Sequence, residues 1–213
     1  MQHNRITIRR ATPRDAGPVA GLIDLAALAH APRSALELVF PGTVRERLEK
    51  LEWLFLNEEQ NANHFSRFFV AEVAGRVAAS MCTNTRESNS ILVWRRALRG
   101  MGLTNGEMGA MAWRLRPYMK VKPHFTKDSL IVDNVATFPE FRGLGAARSL
   151  LETAVRRAGE GGYPRLELEC QVGNDAALRV YEGTGFRVTE VRTHRSWENA
   201  FGTPGVVRMT LEL

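Results

Sequence analysis

The stretch VATFPEFRGLGAA, residues Val135–Ala147, joins a strand-like segment to a helix-like segment through two glycines. The segment Ser129–Phe138 is rich in β-branched residues, and a helical pattern of apolar positions runs on to about Gly159. Small residues allow close approach of a ligand to the backbone, and the unpaired N–H groups at the start of a helix attract anions. The stretch therefore predicts either an anion-binding turn or an ordinary glycine turn before an amphipathic helix.

Two nucleotide-binding classes share such glycines, and the spacing argues against both. A dinucleotide fingerprint needs a third glycine where Arg148 stands, and a tight turn where Pro139–Arg142 intervene. Too little chain follows to build a second mononucleotide-binding half. A phosphate-loop NTPase would need Gly-Lys-Ser/Thr after the turn, which is absent. A nucleotide-binding oxidoreductase stays an alternative, and it would retain NAD and ignore coenzyme A.

A second motif follows one helix and one strand later, in NDAALRVYEGTGF, residues Asn174–Phe186. Together the two stretches resemble the paired signatures of the GCN5-related N-acetyltransferase (GNAT) family, over about Leu130–Arg192. The matching positions are Val135, Thr137, Pro139, Arg142, Gly145 and Ala147 in the first signature, and Asn174, Ala177, Tyr181, Gly185 and Phe186 in the second. Two departures are modest: Thr137 stands where valine is usual, and Ala146 replaces a larger aliphatic residue.

The resemblance implies an α+β fold (an α/β sandwich), with a mixed, splayed sheet of about six to seven strands flanked by helices. We expect a single domain over residues 1–213, with a helical insertion at about 86–127. That insertion holds two helical fragments separated by glycines, SILVWRRALRGMG and NGEMGAMAWRLRPYM. It is either a cap over a site or an oligomerisation element, and a homodimer is common among such proteins.

Periodicity predicts the other elements. Strands are expected at Ile6–Thr12, Arg165–Cys170, FRVTEVRTHR and VVRMTLEL, with a hairpin over Arg67–Thr85 that turns at Ala74-Gly75. Helices are expected from Pro13 to about His30, over Thr43–Asn57, and within NDAALRVYEGTGF. The segment WENAFGTPG, residues 197–205, is predicted to be a loop.

The family resemblance implies that acetyl-CoA binds as co-substrate in an opening between two parallel strands, Ile131–Thr137 and Leu166–Cys170. The Val135–Thr137 backbone would pair with the pantetheine arm like an added strand. The turn from Arg142 to Arg148 would hold the pyrophosphate. The implied coenzyme-binding residues are Val135, Ala136, Thr137, Arg142, Gly143, Leu144, Gly145, Ala146, Ala147, Arg148, Asn174, Ala177 and Tyr181.

Attack of a neutral amine on a thioester needs an oxyanion donor, an acid for the thiolate and a route for the amine's proton. A backbone N–H of Val135–Thr137 is the expected oxyanion donor, and Tyr181 is the expected acid. A free alkylamine has a pKa of about 10.4, so it arrives protonated. Asp133 is the preferred base, with Glu72 and Glu107 as alternatives, or water alone. A non-catalytic acyl-CoA sensor of the same fold is the rival function.

The composition of the chain limits its possible partners, metals and cellular location. The formal charge of +6 comes mostly from arginines that are spread along the chain, so no nucleic-acid stripe is expected. Cys82 and Cys170 lack metal-ligand spacing and are predicted to be buried thiols in strands, and no metal is expected. The sequence has no apolar signal segment and no membrane-spanning run, so a cytoplasmic location is expected. The acceptor is expected to be a small-molecule, peptide or protein amine.

Overall fold

One mixed seven-stranded sheet organises the protein, in the order β1-β2-β3-β4-β5-β7-β6. A computed structural model describes residues 5–213, so residues 1–4, with His3 and the start of the predicted domain, lie outside it. The strands are β1 Ile6–Arg10, β2 Phe68–Val73, β3 Arg76–Asn84, β4 Ser129–Thr137, β5 Arg165–Gln171, β6 Arg187–Thr193 and β7 Gly205–Glu212. This sheet confirms the predicted mixed α+β fold.

The sheet opens between its two central strands, as the family resemblance implied. β4 and β5 run parallel and pair only where Ser129, Leu130 and Ile131 meet Arg165, Leu166 and Glu167. Beyond this point β4 stays paired with β3, and β5 stays paired with β7. Among the described strands, the β4 segment from Val132 to Thr137 therefore has no partner on its β5 side, and a gap begins there.

Helices cover both faces of the sheet and divide the core in two. They are α1 Ala16–Leu28, α2 Ala35–Val39, α3 Val44–Leu56, α4 Ile91–Gly100, α5 Asn105–Arg114, α6 Arg116–Val121, α7 Ala146–Glu160, α8 Asp175–Glu182 and α9 Arg195–Phe201. On one face α7 buries Leu150, Leu151 and Ala154 against β4 and β5. On the other face α1 and α3 pack with Phe68 and Cys82 of β2 and β3. The burial of Cys82 and Cys170 as free thiols agrees with the sequence prediction.

The segment from Arg86 to Lys127 forms three helices rather than two fragments. The fragment NGEMGAMAWRLRPYM divides into α5 and α6 at Leu115, because Pro117 sits at the start of α6 and has no N–H to continue a helix. Ala97, Leu98 and Met111 join the core formed by α1 and α3. The segment is therefore packed onto the same face of the sheet as α1.

The predicted loop at WENAFGTPG is wrong, because its first half is the helix α9. His194 caps this helix, its Nδ1 accepting the backbone N–H of Ser196 at 3.1 Å, and Gly202 ends it in the left-handed conformation with φ 72°. Trp197 and Phe201, one turn apart, are buried with their ring centroids 4.1 Å apart. A seven-residue helix has too few turns to display a clear period, which is why the pattern missed it.

Across the described residues 5–213, none of the helices has the length and apolar character needed to cross a bilayer.

Candidate active site

A cavity of about 1090 Å³ passes through the gap between β4 and β5 and joins the two faces of the sheet. On one face it is lined by the turn before α7 and by α8. On the other face it is lined by α1, α2 and the helices α4 to α6. Both sequence motifs therefore border one continuous space, together with the β4 edge that lacks a strand partner.

The turn before α7 presents a row of free backbone donors. Gly143 and Gly145 adopt φ values of 79° and 89°, which glycine tolerates and other residues rarely do. Among residues 5–213, no backbone or side-chain acceptor bonds the amides from Gly143 to Arg148; the next amide, that of Ser149, bonds to the Gly145 carbonyl at 3.0 Å. Six successive free N–H groups at a helix N-terminus are suited to a pyrophosphate.

Two arginines border these amides. Arg142 is exposed and lines the cavity, and Arg148 also lines it while its Nε donates to Glu152 at 3.1 Å. Most of the residues expected to bind coenzyme A also line the cavity. They are Val135, Ala136, Thr137, Arg142, Gly143, Gly145, Ala146, Ala147, Arg148, Asn174, Ala177 and Tyr181. Leu144 is the exception, because its side chain is exposed and lies outside the lining.

A bulge in β4 turns the strand beside the gap. Ser80 pairs with Ala136 and Cys82 with Asp133, so β4 carries one extra residue there. Asn134 absorbs the distortion with φ 52°, a left-handed conformation that asparagine tolerates better than most residues. Its Nδ2 donates to Asn63 Oδ1 at 3.0 Å, which holds the bulge against the loop before β2. The bulge re-aims the β4 backbone at the point where the cavity crosses the sheet.

Tyr181 of α8 reaches the cavity from the face of the sheet that α7 covers. Its side chain is 7% exposed and packs edge-on against Phe186, with ring centroids 6.3 Å apart. Burial raises the pKa of the phenol, and nearby Cys170 and Asp133 raise it further. Within the described residues its hydroxyl makes no hydrogen bond, so a protonated phenol faces the cavity without a protein partner. Asn174 begins the same helix and accepts the Ala177 N–H at 3.3 Å.

Two carboxylates meet on the other side of the gap. Asp133 of β4 accepts the Asn134 N–H at 2.8 Å, and both oxygens of Glu169 on β5 accept the Tyr118 hydroxyl, at 3.0 and 3.1 Å. Burial raises the pKa of both carboxyls, and the charge of Asp133 helps to raise that of Glu169 to about 7. Lys122 is close enough to lower both pKa values partly. Glu169 can therefore gain or lose a proton near neutral pH.

The other two carboxylates considered as bases have structural partners elsewhere. Glu72 of β2 accepts Arg9 Nη2 at 2.6 Å, in a network that also includes Asp15. Glu107 is the acidic member of a capping box at the start of α5, where it accepts the Thr104 hydroxyl at 2.7 Å. Neither side chain lines the cavity. Of the three candidate bases, the structure brings only Asp133 to the site.

Sequence reasoning missed Glu169, Tyr118 and Asn134. Glu169 sits in the alternating strand RLELEC, where Leu166, Leu168 and Cys170 point to the opposite core. A carboxylate on the inner face of a central strand is itself an unusual signal, and it could have been noticed. Tyr118 gave no such signal, because its contact with Glu169 joins residues 51 positions apart.

Comparison with known proteins identifies relatives of this chain. The family model described as the acetyltransferase (GNAT) family matches residues 33–186. An uncharacterised N-acetyltransferase of Bacillus subtilis, YdgE, is 26% identical over 116 residues, covering 54% of this chain and 68% of its own. N-alpha-acetyltransferase 30 of Saccharomyces cerevisiae is 31% identical over 85 residues, covering 40% of this chain and 46% of its own.

Solved structures share the whole fold. An N-acetyltransferase from Staphylococcus aureus Mu50 superposes with a TM-score of 0.71 at 19% identity, covering 96% of this chain and 100% of its own. The structure of yncA from Salmonella typhimurium with its cofactor acetyl-CoA gives a TM-score of 0.52 at 18% identity. The match covers 99% of this chain and 95% of the yncA chain. Since the family model spans most of the chain and both signatures, this protein belongs to the GNAT family of acetyltransferases.

Proposed function

We propose that the protein transfers an acetyl group from acetyl-CoA to a primary amine by direct attack on the thioester. The observation that carries this proposal is the cavity through the sheet. It unites five of the six free-amide residues at the start of α7 (all but Leu144), an unpartnered buried phenol and two carboxylates in one space. These are the groups needed to hold a pyrophosphate, protonate a leaving thiolate and accept a proton from an amine.

The coenzyme side of the cavity fits acetyl-CoA. The amides of Gly143 to Arg148 would bind the pyrophosphate, with Arg142 and Arg148 adding positive charge. The β4 edge from Val135 to Thr137 lacks a strand partner on the side of the gap, so it can pair with the amide groups of the pantetheine arm. Asn174 and Ala177 of α8 would border the same arm.

Acetyl-CoA supplies the activated carbonyl, and the protein supplies a donor, an acid and a base. An N–H of the bulged β4 edge would donate to the carbonyl oxygen as its charge grows. The amine nitrogen forms a bond to the carbonyl carbon, and the bond from that carbon to sulfur breaks. The pair of Asp133 and Glu169 would take the proton that the ammonium group must lose before it attacks. Tyr181 would give its proton to the departing thiolate, and the second proton that the nitrogen loses as the amide forms balances that transfer.

CoA release with and without amines tests this function, using wild type and Tyr181→Phe. We expect an amine to stimulate release by the wild type and the variant to lose about 10²-fold or more in kcat, because a general acid contributes on that order. Acetyl-CoA affinity should stay within about twofold, since the phenyl ring keeps its packing against Phe186. Tyr163→Phe is the matched control, because Tyr163 lies outside the cavity lining.

Two results would contradict the proposal. Full activity of Tyr181→Phe would show that Tyr181 is not the general acid. Tight binding of acetyl-CoA with no amine-stimulated release would favour the non-catalytic acyl-CoA sensor instead.

A further inference from the structure

We propose that the acceptor is a small primary amine with an apolar or aromatic body and no carboxylate beside its amino group. This inference rests on the proposed acetyl transfer and names the substrate class of that site. It follows from the part of the cavity on the α1 face of the sheet, which we call the acceptor chamber. The chamber combines an apolar wall with one acidic end.

The wall of the acceptor chamber is mostly hydrocarbon, although Asn63 and Asn89 also line it. Six side chains from α2 and α4 to α6 form much of it: Leu36, Ile91, Trp94, Met111, Leu115 and Met119. The indole N–H of Trp94 is already used, because it donates to Asn89 Oδ1 at 3.1 Å. The ring therefore offers an apolar surface. Such a wall gains free energy from burying an alkyl or aryl group and gains little from a sugar or a polyol.

The acidic end has room for an ammonium group. Asp133 Oδ1 accepts the Asn134 N–H, whereas Oδ2 has no hydrogen bond within residues 5–213. Both Glu169 oxygens share the single Tyr118 hydroxyl. Lys122 supplies one positive charge against these two carboxylates. A carboxylate next to the substrate's amino group would lie beside both acids, and like charges at short range disfavour binding strongly.

The Tyr181 hydroxyl marks the end of the chamber where the amine must arrive. Tyr181 is 7% exposed and lines the cavity, and its hydroxyl makes no hydrogen bond within the described part of the chain. Its phenol is also close enough to Asp133 for that charge to raise its pKa. A substrate amine between these groups would have the acid and the base on either side of it. The apolar body would then extend back along the wall.

The test compares amines that differ in one group, measured as CoA release at saturating acetyl-CoA. Phenethylamine and phenylalanine differ only by the carboxylate, and phenethylamine and ethanolamine differ by the aromatic body. We expect kcat/KM for phenethylamine to exceed that for phenylalanine by about 100-fold or more, because of like-charge repulsion. We expect it to exceed that for ethanolamine by about 10- to 100-fold, because of ring burial.

Two variants test whether the acidic end and the apolar wall of the chamber cause these two preferences among amines. Glu169→Gln should narrow the ratio between phenethylamine and phenylalanine by about tenfold, since it removes one of the two negative charges. Trp94→Ala should narrow the ratio between phenethylamine and ethanolamine while leaving the KM for acetyl-CoA unchanged. Trp113→Ala is the control, because Trp113 belongs to α5 but is 68% exposed, stacks with Arg116 and lies outside the cavity lining.

The possible results distinguish a wrong acceptor class from a wrong assignment of acetyl transfer. CoA release with phenylalanine equal to or faster than with phenethylamine would overturn the inference, and would make Lys122 the partner of a substrate carboxylate. Preference for a short peptide with an N-terminal phenylalanine would also overturn it. In both cases acetyl transfer itself would stand. If no amine stimulates release, the proposed function fails, and the inference fails with it.

Discussion

At the scale of single residues, the site depends on where ionisable side chains lose contact with water. Burial raises the pKa of the Tyr181 phenol, so the residue is protonated before the reaction, and the same shift makes it a weaker acid than a free phenol. Glu169 has a pKa raised to about 7 by burial and by the charge of Asp133. A base with this pKa is ionised at the slightly alkaline pH at which it would receive a proton from an ammonium group.

The pH dependence of catalysis should report this carboxyl group. A raised pKa means that Glu169 is protonated below about pH 7, where it cannot act as a base. An alkylamine stays almost wholly an ammonium ion up to about pH 9. We therefore expect kcat/KM to rise about tenfold per pH unit below 7 and to level off between 7 and 9. Glu169→Gln should lose the inflection near 7.

A continuous tenfold rise per pH unit up to about pH 10 would contradict this assignment. That profile would mean that the enzyme selects the free amine and uses no base of its own. The measurement is initial-rate CoA release across a pH series with one amine, and Glu87→Gln serves as control because that carboxylate is exposed and lies outside the cavity lining.

At the scale of elements, short features position the reacting groups. The β4 bulge at Asn134 and the glycine turn before α7 aim backbone amides, and both need residues that tolerate a left-handed φ. Helix α9 supports Tyr118, since the ring centroid of Trp197 lies 6.0 Å from that of Tyr118. The segment WENAFGTPG, which the sequence predicted to be a loop, therefore contacts Tyr118, and the Tyr118 hydroxyl donates to Glu169.

Trp197→Ala should therefore reduce both stability and activity. Trp197 is 2% exposed, and its indole N–H donates to Thr203 Oγ1 at 3.0 Å. Removing it should lower the free energy of unfolding by about 3–5 kcal/mol, the usual cost of deleting a buried large aromatic side chain. Denaturant unfolding measures this change, and activity at a temperature where the variant is still folded measures the effect on Tyr118.

Trp197→Phe provides the graded comparison, because it keeps most of the ring volume and loses the hydrogen bond. Its stability should fall between wild type and Trp197→Ala. A fully active and equally stable Trp197→Ala would show that α9 has no part in holding the site.

At the scale of the whole molecule, the sheet itself creates the site by separating β4 from β5. α7 covers the cavity on one face of the sheet, and α1 with α4 to α6 covers it on the other, so the proposed function would bring acetyl-CoA and the amine together from opposite faces. The segment 86–127 contributes Trp94, Met111 and Tyr118 to the lining. This placement favours the cap interpretation of the insertion, and under the proposed function we expect the insertion to influence acceptor choice.

The sequence located the residues that line the cavity on the α7 face better than those that line it on the α1 face. The residues from Arg142 to Arg148 would act through backbone conformation, which glycine spacing reveals locally. Asp133, Glu169 and Tyr118 come together only through strand order and helix packing. Their function depends on burial and mutual charge, which no local pattern records. The same reasoning explains why Asp133 could be proposed from its position on the coenzyme strand while its partner Glu169 was missed.

The central claim is that acetyl-CoA binds across the gap between β4 and β5, with its pyrophosphate on the turn before α7. Calorimetric titration of acetyl-CoA into wild type, Gly145→Glu and Gly75→Glu tests it directly. Both glycines have left-handed φ, 89° and 74°, and both have room for a Cβ, so the two variants carry similar backbone strain. Only Gly145 borders the free amides; Gly75 lies in the hairpin between β2 and β3.

We predict that Gly145→Glu weakens acetyl-CoA binding by about 100-fold or more, because a carboxylate placed on the amides repels the pyrophosphate and blocks its approach. Gly75→Glu should bind acetyl-CoA as wild type does. Unchanged affinity in folded Gly145→Glu would contradict the account.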